Sequence, residues 1–465
     1  MAALKSDTRV ELSFRGRFSF GIDQWAYVPF EVPSGTQRID VSTSHDQFSL
    51  LGIGRNVLDL GIFGPAGHEL GNAAGFRGWS GGARTGFMLS AVNATPGYLA
   101  GPIDQGRWAL ALGPVVLNPM GMDWQAQITL TRGVQPSLRP VADYRHAVRP
   151  VSQPGWYRGD LHTHTVHSDG RRRIVEMADA ATSAGLDFIG STDHNTSSAN
   201  RAWAAAASDG LEVIEGEEVT TRHGHWLAIA LPPGCWIDWR YAPRDGVFAT
   251  YAERVRADGG LVVAAHPSVP LPGCAWEFGY RDVDAMEVWN GQWNVDDELS
   301  LRIWQQLLRQ GRRITAVGGS DSHASTQPLG RPQTVVYAQG LVTRDLVDGL
   351  RRARCYVAES SAVSLVLSAS REGSRSTAGP GETLTVPPGA DVAVTAEVSG
   401  APDANIALVT DGGCVGRAKT DASGDGRLTW TTSGGDAPFA RVEVRRRARF
   451  PSMVALSNPV WLQPL

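Results

Sequence analysis

Cysteine is scarce: Cys235, Cys274, Cys355 and Cys414 are the only four in 465 residues, and they stand far apart. That excludes a disulfide framework and a cysteine zinc site. Long apolar runs are absent as well. No stretch of eighteen apolar residues occurs, so no transmembrane helix and no membrane partner are expected. The opening MAALKSDTRVELSF lacks the basic segment and apolar run of an export signal, which predicts a cytoplasmic, reduced protein. Excess positive charge is also missing. A formal net charge of −4 argues against a chain that coats nucleic acid, and no stable nucleic-acid partner is expected.

What is present reads as an ordinary globular chain, 42% hydrophobic and 19% charged, long enough for two or three domains. Residues 1–135 alternate short apolar runs with turn residues. RVELSF, WAYVPFEV, LDLGIF, GFMLSA, RWALAL and WQAQITLT read as strands of an N-terminal β-sandwich. The polar stretches Phe76 to Arg84 and Gly97 to Ile103 read as surface turns and packing. A proline-punctuated connector covers 136–156. From 157 to 362 strands alternate with helices, which predicts an α/β unit with a parallel sheet, open or closed into a barrel. In it RIVEMADAATSAG, FATYAERVRADGG and DELSLRIWQQLLRQG are helices, and LDFIGS, LEVIEG, LVVAA, MEVW and ITAVGG are strands. Residues 363–465 return to strands and predict an immunoglobulin-like C-terminal sandwich, with Arg445 to Arg447 as a solvated strand edge.

Eight of the eleven histidines lie between His162 and His323. In GDLHTHTVHSDG, His162 and His164 are two apart on an extended segment and share a face, and Asp169 follows in the turn. His194 follows LDFIGS, Glu217 and Glu218 follow LEVIEG, His266 ends LVVAA, and Asp321 and His323 follow ITAVGG. Polar ligands thus gather at the carboxyl ends of successive predicted strands, where α/β barrels build their sites. His225, opening HWLAIAL, is the exception, and a hairpin folding back over the site would accommodate it. Of Glu217 and Glu218, one should face the site and the other not, because strand faces alternate. His167 and His223 are each flanked by a better ligand. Imidazole and carboxylate donors without cysteine suit zinc, manganese or iron, and their number suits two or three ions.

DLHTHTVHSDG, STDHN, EGEEVT with HWLAIAL, AHP and GSDSH resemble, in order, the motifs of the PHP (polymerase and histidinol phosphatase) metallohydrolases. The resemblance implies a distorted seven-stranded (β/α) barrel with two or three divalent ions (Mn, Zn or Fe) at the strand ends. The strings GWYRGDLHTHTVHSDG, MEVWNGQWN and GGSDSHA, with β domains on both sides, are similar to the carbaryl-hydrolase-like branch, CehA/McbA. Carried over by motif, one ion takes His162, His164, Glu218 and Asp321. A second shares Glu218 and takes His225 and His266, and a third takes Asp169, His194 and His323. Glu218 rather than Glu217 follows from its position before the valine of EEVT. The basic run Arg171 to Arg173 departs from the family and reads as a solvated first helical turn, with recruitment of an anionic substrate as the alternative.

The expected function is a metal-dependent hydrolase of a small-molecule ester. A metal-bridging hydroxide would cleave a phosphoester, with Glu218 as the bridge and Asp321 beside it. His323 or His167 would meet the leaving oxygen. Arg331, Asn290 and Trp289, with Trp293 nearby, are the candidates for substrate contact. Carbamate or carboxyl ester hydrolysis of the carbaryl type is the alternative, and a non-catalytic metal-containing binding module is a third reading.

Overall fold

The computed structural model describes residues 9–21, 24–47, 55–133, 153–206, 210–371, 373 and 376–465. Most of the expected connector, 136–152, lies outside the described residues, and from Gly155 onward the chain is already strand.

Eight strands open the chain: β1 (Arg9–Phe18), β2 (Ala26–Val32), β3 (Thr36–His45), β4 (Val57–Phe63), β5 (Phe76–Gly81), β6 (Gly86–Ser90), β7 (Gly106–Val116) and β8 (Met122–Arg132). They make two antiparallel sheets, β1-β8-β3-β6 and β2-β7-β4-β5, which enclose a core that includes Ile39, Leu60, Trp108 and Ile128. β3 escapes apolar patterning because TQRIDVSTSH spends only Ile39 and Val41 on that core. β5 corrects the expectation of a surface turn over Phe76 to Arg84. FRGWSG is glycine-rich, yet Phe76 and Trp79 are buried against the central unit rather than solvated.

The central unit comprises β9 (Gly155–Asp160), α1 (Ile174–Ser183), β10 (Phe188–Ser191), α2 (Asn200–Ala206), β11 (Glu212–Thr221), β12 (Gly224–Ile229) and α3 (Phe248–Ala257). It continues through β13 (Leu261–Ala265), β14 (Ala285–Asn290), α4 (Val295–Arg309), β15 (Thr315–Gly319), β16 (Gln333–Ala338), α5 (Thr343–Arg351) and β17 (Cys355–Ala358). Helix boundaries follow local chemistry. Gly185 (φ +71°) ends the α1 segment, and the Asn294 side chain caps α4 by accepting from the Asp296 and Asp297 N–H groups.

Seven strands lie side by side in the order β9 to β15. The pairs are parallel except at β12, which is antiparallel to both β11 and β13. This breaks the expected parallel repeat: Gly224 (φ +109°) turns the chain into a β11–β12 hairpin, the fold-back that His225 hinted at. The two ends of the run meet just past the strands, where Asp321 N–H donates to His162 O (2.9 Å) and Thr163 bridges Ser322. β16 and β17 extend the sheet antiparallel from β9.

The C-terminal strands are β18 (Ser364–Arg371), β19 (Thr377–Ala378), β20 (Thr383–Val386), β21 (Asp391–Ser399), β22 (Ala404–Thr410), β23 (Gly413–Lys419), β24 (Gly426–Ser433), β25 (Phe439–Arg446), β26 (Met453–Ser457) and β27 (Val460–Pro464). One layer is β19-β18-β21-β24, and the other runs β26-β25-β22-β23. The second layer is continuous with the central sheet, because β26 pairs with β17. Arg445 and Arg446 are not a solvated edge. β25 lies between β22 and β26, and the two guanidiniums reach Glu298 on α4 and Glu359. Among the described residues no helix is long and apolar enough to cross a membrane.

Candidate metal centre

β9 ends at Asp160, and the next residues carry His162 and His164 on one face, both fully buried. Asp160 itself accepts the N–H groups of His162 (3.2 Å), Ser320 (2.9 Å) and Gly330 (2.8 Å), so one carboxylate pins the β9 and β15 ends together. Burial raises its pKa to about 6, against the pull of those N–H donors. The close approach of the two strands depends on Gly319, where a Cβ would lie 2.5 Å from His162 Cβ and 2.8 Å from a Glu287 oxygen.

Glu218 on β11 stands at the middle of the cluster. Its Oε1 meets His225 Nδ1 (3.0 Å) and His266 Nε2 (3.1 Å). Its Oε2 faces His194 Nδ1 (2.7 Å), His162 Nε2 (3.3 Å) and His164 Nε2 (3.4 Å). Asp321 Oδ1 lies 3.0 Å from His164 Nε2 and 3.5 Å from His162 Nε2. Asp169 Oδ1 lies 3.2 Å from His323 Nε2 and 3.4 Å from His194 Nε2. Glu217 takes the other face of β11, as strand alternation requires, and accepts the Ile237 N–H at 3.1 Å.

The donors fall into four overlapping groups, each with its ligand atoms within 4.8 Å of one another: His162, His164, Glu218; Glu218, His225, His266; His162, His266, Asp321; and His164, Asp169, His194, His323. Whether they fit cations is answered by the unpaired atoms. His162 Nε2, both ring nitrogens of His164, Glu218 Oε2, His266 Nδ1 and Asp321 Oδ1 are buried without a hydrogen-bond partner. Buried polar atoms are ordinarily paired, and the mutually facing orphans His162 Nε2, His164 Nε2, Glu218 Oε2 and Asp321 Oδ1 match the demand of divalent ions for nitrogen and oxygen donors.

The electrostatics agree. Burial opposes charge on every histidine here, yet Glu218 and Asp169 outweigh it at His194 and raise its pKa to about 10. At His164 burial wins, helped by His194 and His323, and the pKa falls to about 4. Glu218 and Asp321 stay far below the usual carboxylate range despite burial, because histidines surround them. Two of the strand-end residues, His266 (φ +27°) and Asp321 (φ +49°), hold left-handed backbone that costs about 1–3 kcal/mol each and recurs at functional sites.

One carboxylate was not legible as a site residue. Glu287 on β14 receives His162 Nδ1 (3.1 and 3.2 Å to its two oxygens), the His266 N–H (3.0 Å) and Asn290 Nδ2 (3.0 Å). It fixes the His162 ring so that Nε2 faces the cluster. The signal available in sequence was a single carboxylate inside the otherwise apolar AMEVW.

Other candidates land elsewhere. His167 does not join the cluster; its Nδ1 meets Ser198 Oγ at 2.9 Å, and burial lowers its pKa. His223 pairs with Glu277 instead (2.8 Å). Asn290 does reach the cluster edge, 3.4 Å from Asp321 Oδ2. Trp289 does not, because a bulge between Glu287 and Trp289 turns the indole into the core. Arg331 lines a separate cavity of about 560 Å³ with Trp289 and Trp293, and none of the nine expected ligands borders it. The basic run also departs from expectation. Arg173 is solvated, but Arg172 is buried and donates to Ser322 Oγ (2.7 Å) and Gln327 O (3.0 Å), bracing the Asp321–His323 loop.

A second cavity, of about 390 Å³, opens onto Asp169, His194 and His225, and its far wall is the N-terminal sandwich. The supposed surface loops of that sandwich are anchored here. Thr196 Oγ1 donates to Gly97 O (3.1 Å) and the Gly97 N–H to Ser198 Oγ (3.1 Å).

Residues 160–256 match the PHP domain family. Among solved structures, the chain is similar to a two-domain protein from Bacteroides vulgatus containing a predicted PHP-like metal-dependent phosphoesterase (17% identity, 70% of this chain and 100% of that one, TM-score 0.37). It is also similar to an amidohydrolase from Chromobacterium violaceum with bound sulfate and no metal (19% identity, 37% of this chain and 89% of that one, TM-score 0.28). No curated protein matches the chain. The strand-end cluster from His162 to His225 lies inside the matched stretch, so the central unit of this chain is PHP-like over that stretch and holds buried histidine, aspartate and glutamate groups suited to several divalent ions.

Proposed function

We propose that this chain is a divalent-metal-dependent hydrolase that cleaves phosphoesters. The observation that carries the reading is Glu218, whose two oxygens each face a different set of histidines, His225 and His266 on one side and His162, His164 and His194 on the other. A carboxylate so divided would serve as the shared ligand of a multi-ion centre. His162, His164, Asp321, His225 and His266 would complete the two positions around it, and Asp169, His194 and His323 a third. Bound divalent ions activate water near neutral pH and neutralise charge developing on the substrate's oxygens.

The chain's own residues orient and complete that chemistry. Glu287 holds His162 through Nδ1, and Thr220 Oγ1 lies 2.6 Å from His194 Nδ1. Asp169 and His323 form the exposed edge. Burial opposes protonation of His323, but the Asp169 hydrogen bond and Asp321 outweigh it and raise its pKa, so with the third position empty it could give a proton to a departing oxygen, a role it would lose as a metal ligand. Three metal positions would suit a dianionic phosphate. The finer placement in the CehA/McbA branch rests on the sequence strings quoted above. The apolar cavity beside the cluster favours an aryl leaving group, which keeps carbamate or carboxyl ester cleavage as the second reading.

The test is a paired assay on chelated protein, with Mn²⁺ or Zn²⁺ restored, using 4-nitrophenyl phosphate and an aryl carbamate. Restored phosphate turnover is the expected result. Carbamate turnover alone would move the assignment to the second reading, and bound metal without either activity would overturn both.

A further inference from the structure

β4 alternates. Leu58, Leu60 and Ile62 point into the N-terminal sandwich core, while Asp59, Gly61 and Phe63 face the central unit. Trp79 packs on Gly61, where a Cβ would lie 2.2 Å from the ring. Phe63 joins the central core. Asp59 has neither fate: it is 8% exposed, its carboxylate has no hydrogen bond or ion pair with any described residue, and it borders the cavity that holds Asp169, His194 and His225.

The walls around it are aromatic. Trp25 and Trp79 come from the sandwich and Trp239 from the segment after β12, with ring centroids 5.7 Å (Trp25–Trp79), 4.4 Å (Trp79–Trp239) and 6.3 Å (Trp25–Trp239) apart. Arg222 lies 4.1 Å from the Trp25 centroid and donates to Gln24 O. Glycines 81 and 82 form the rim over Asp59, 3.6 and 3.8 Å from Oδ1 measured at a built Cβ, so no side chain closes it off.

Resting on the hydrolase reading, we propose that the N-terminal sandwich supplies the specificity pocket of the site, which takes a planar aromatic group bearing a neutral N–H or O–H donor. The ring lies on the Trp25–Trp79–Trp239 wall, and the donor binds Asp59. A nine-tenths-buried carboxylate facing a cavity demands a donor. Arg222 on the same wall disfavours a full cation, which leaves a neutral donor, and about 390 Å³ admits one or two fused rings. Burial pushing the Asp59 carboxyl up to about 7, against Arg222 and His194, is consistent with a group awaiting a partner.

The test uses the full chain after chelation, so that binding is read without turnover. Fluorescence anisotropy would compare 7-amino-4-methylcoumarin with its 7-dimethylamino counterpart, which has lost both N–H donors. Above about pH 8, where Asp59 is ionised, the amino probe should bind about tenfold more tightly, the size of one hydrogen bond to a charged acceptor. Asp59→Leu should abolish that preference, Asp59→Asn should keep part of it, and Trp25→Ala should weaken both probes alike, with near-ultraviolet circular dichroism reporting the fold. Equal binding of the two probes, no binding of either, or a preference that survives in folded Asp59→Leu would overturn the pocket. Phosphoester assays on metal-restored protein fail or succeed separately, so loss of the hydrolase reading with the probe preference intact is a distinct result.

Discussion

The N-terminal sandwich meets the central unit through side chains, whereas the C-terminal sandwich adds a continuous main-chain ladder to its side-chain contacts. On the N-terminal side the outer face of β2-β7-β4-β5 presents Phe63, Phe76 and Trp79 to Trp236 and Trp239, with Phe76 and Trp236 stacked 4.0 Å apart. Arg240 crosses the same boundary to Tyr27 Oη (2.7 Å) and His68 O (3.1 Å). On the C-terminal side β26 pairs directly with β17, and Asn458 exchanges hydrogen bonds with both Ala316 main-chain groups (2.8 and 2.9 Å) and with Cys355 O (3.1 Å). One attachment leaves a cavity at the histidine cluster; the other leaves no gap in the sheet. Side-chain docking can be retuned residue by residue to suit a ligand, while a continuous ladder fixes position and braces β15.

That contrast can be broken at its hub. His164→Ala or Asp321→Asn should reduce hydrolysis to background and lower the bound metal, while circular dichroism stays that of the folded chain. Activity in a metal-replete variant of either kind would remove these residues from the centre. The wall side is next. Asp59 keeps its proton more tightly when folded than when unfolded, so its share of metal-free stability should be lost as pH rises from about 4 to about 7, by up to about 4 kcal/mol, beside a smaller loss from Asp160 and a later one from His194. Asp59→Asn should lose that share of the decline in urea titrations across this range, leaving the part due to Asp160. Arg222, Asp169 and His194 are the charges facing it and do not titrate in this window, so an unchanged slope in the variant would point to another buried carboxyl such as Asp160.

On the brace side, Asn458→Ala strips the Ala316 and Cys355 groups of their partner and should cost about 2–3 kcal/mol in denaturant unfolding. Phosphoester KM should hold steady; a KM rise matching that of Trp25→Ala would erase the distinction between wall and brace. The smallest expected effect is at the support of the centre: Glu287→Gln should weaken metal affinity about 10- to 100-fold, measured by chelator competition.

Much of the centre was legible because strand geometry is local. His162 and His164 share a face by period two, and Glu217 and Glu218 oppose each other by the same rule. The hairpin that brings His225 in was signalled by its place at a strand beginning. Glu287 was hidden because a lone carboxylate in a strand declares burial, not partner. His167 misled because it sits among ligands in sequence yet turns toward Ser198. Arg172 looked solvated because its partners, Ser322 and Gln327, are far along the chain.

By itself the sequence determined the β, α/β, β order and the line of metal-binding side chains at the strand ends, since alternation, turn residues and donor chemistry act over a few neighbours. Tertiary structure alone decided that Asp59 and Trp25, more than a hundred residues before His194, share its cavity, and that β26 completes the central sheet. Docking between units depends on the shape and burial of whole faces, and no short-range pattern encodes which face meets which.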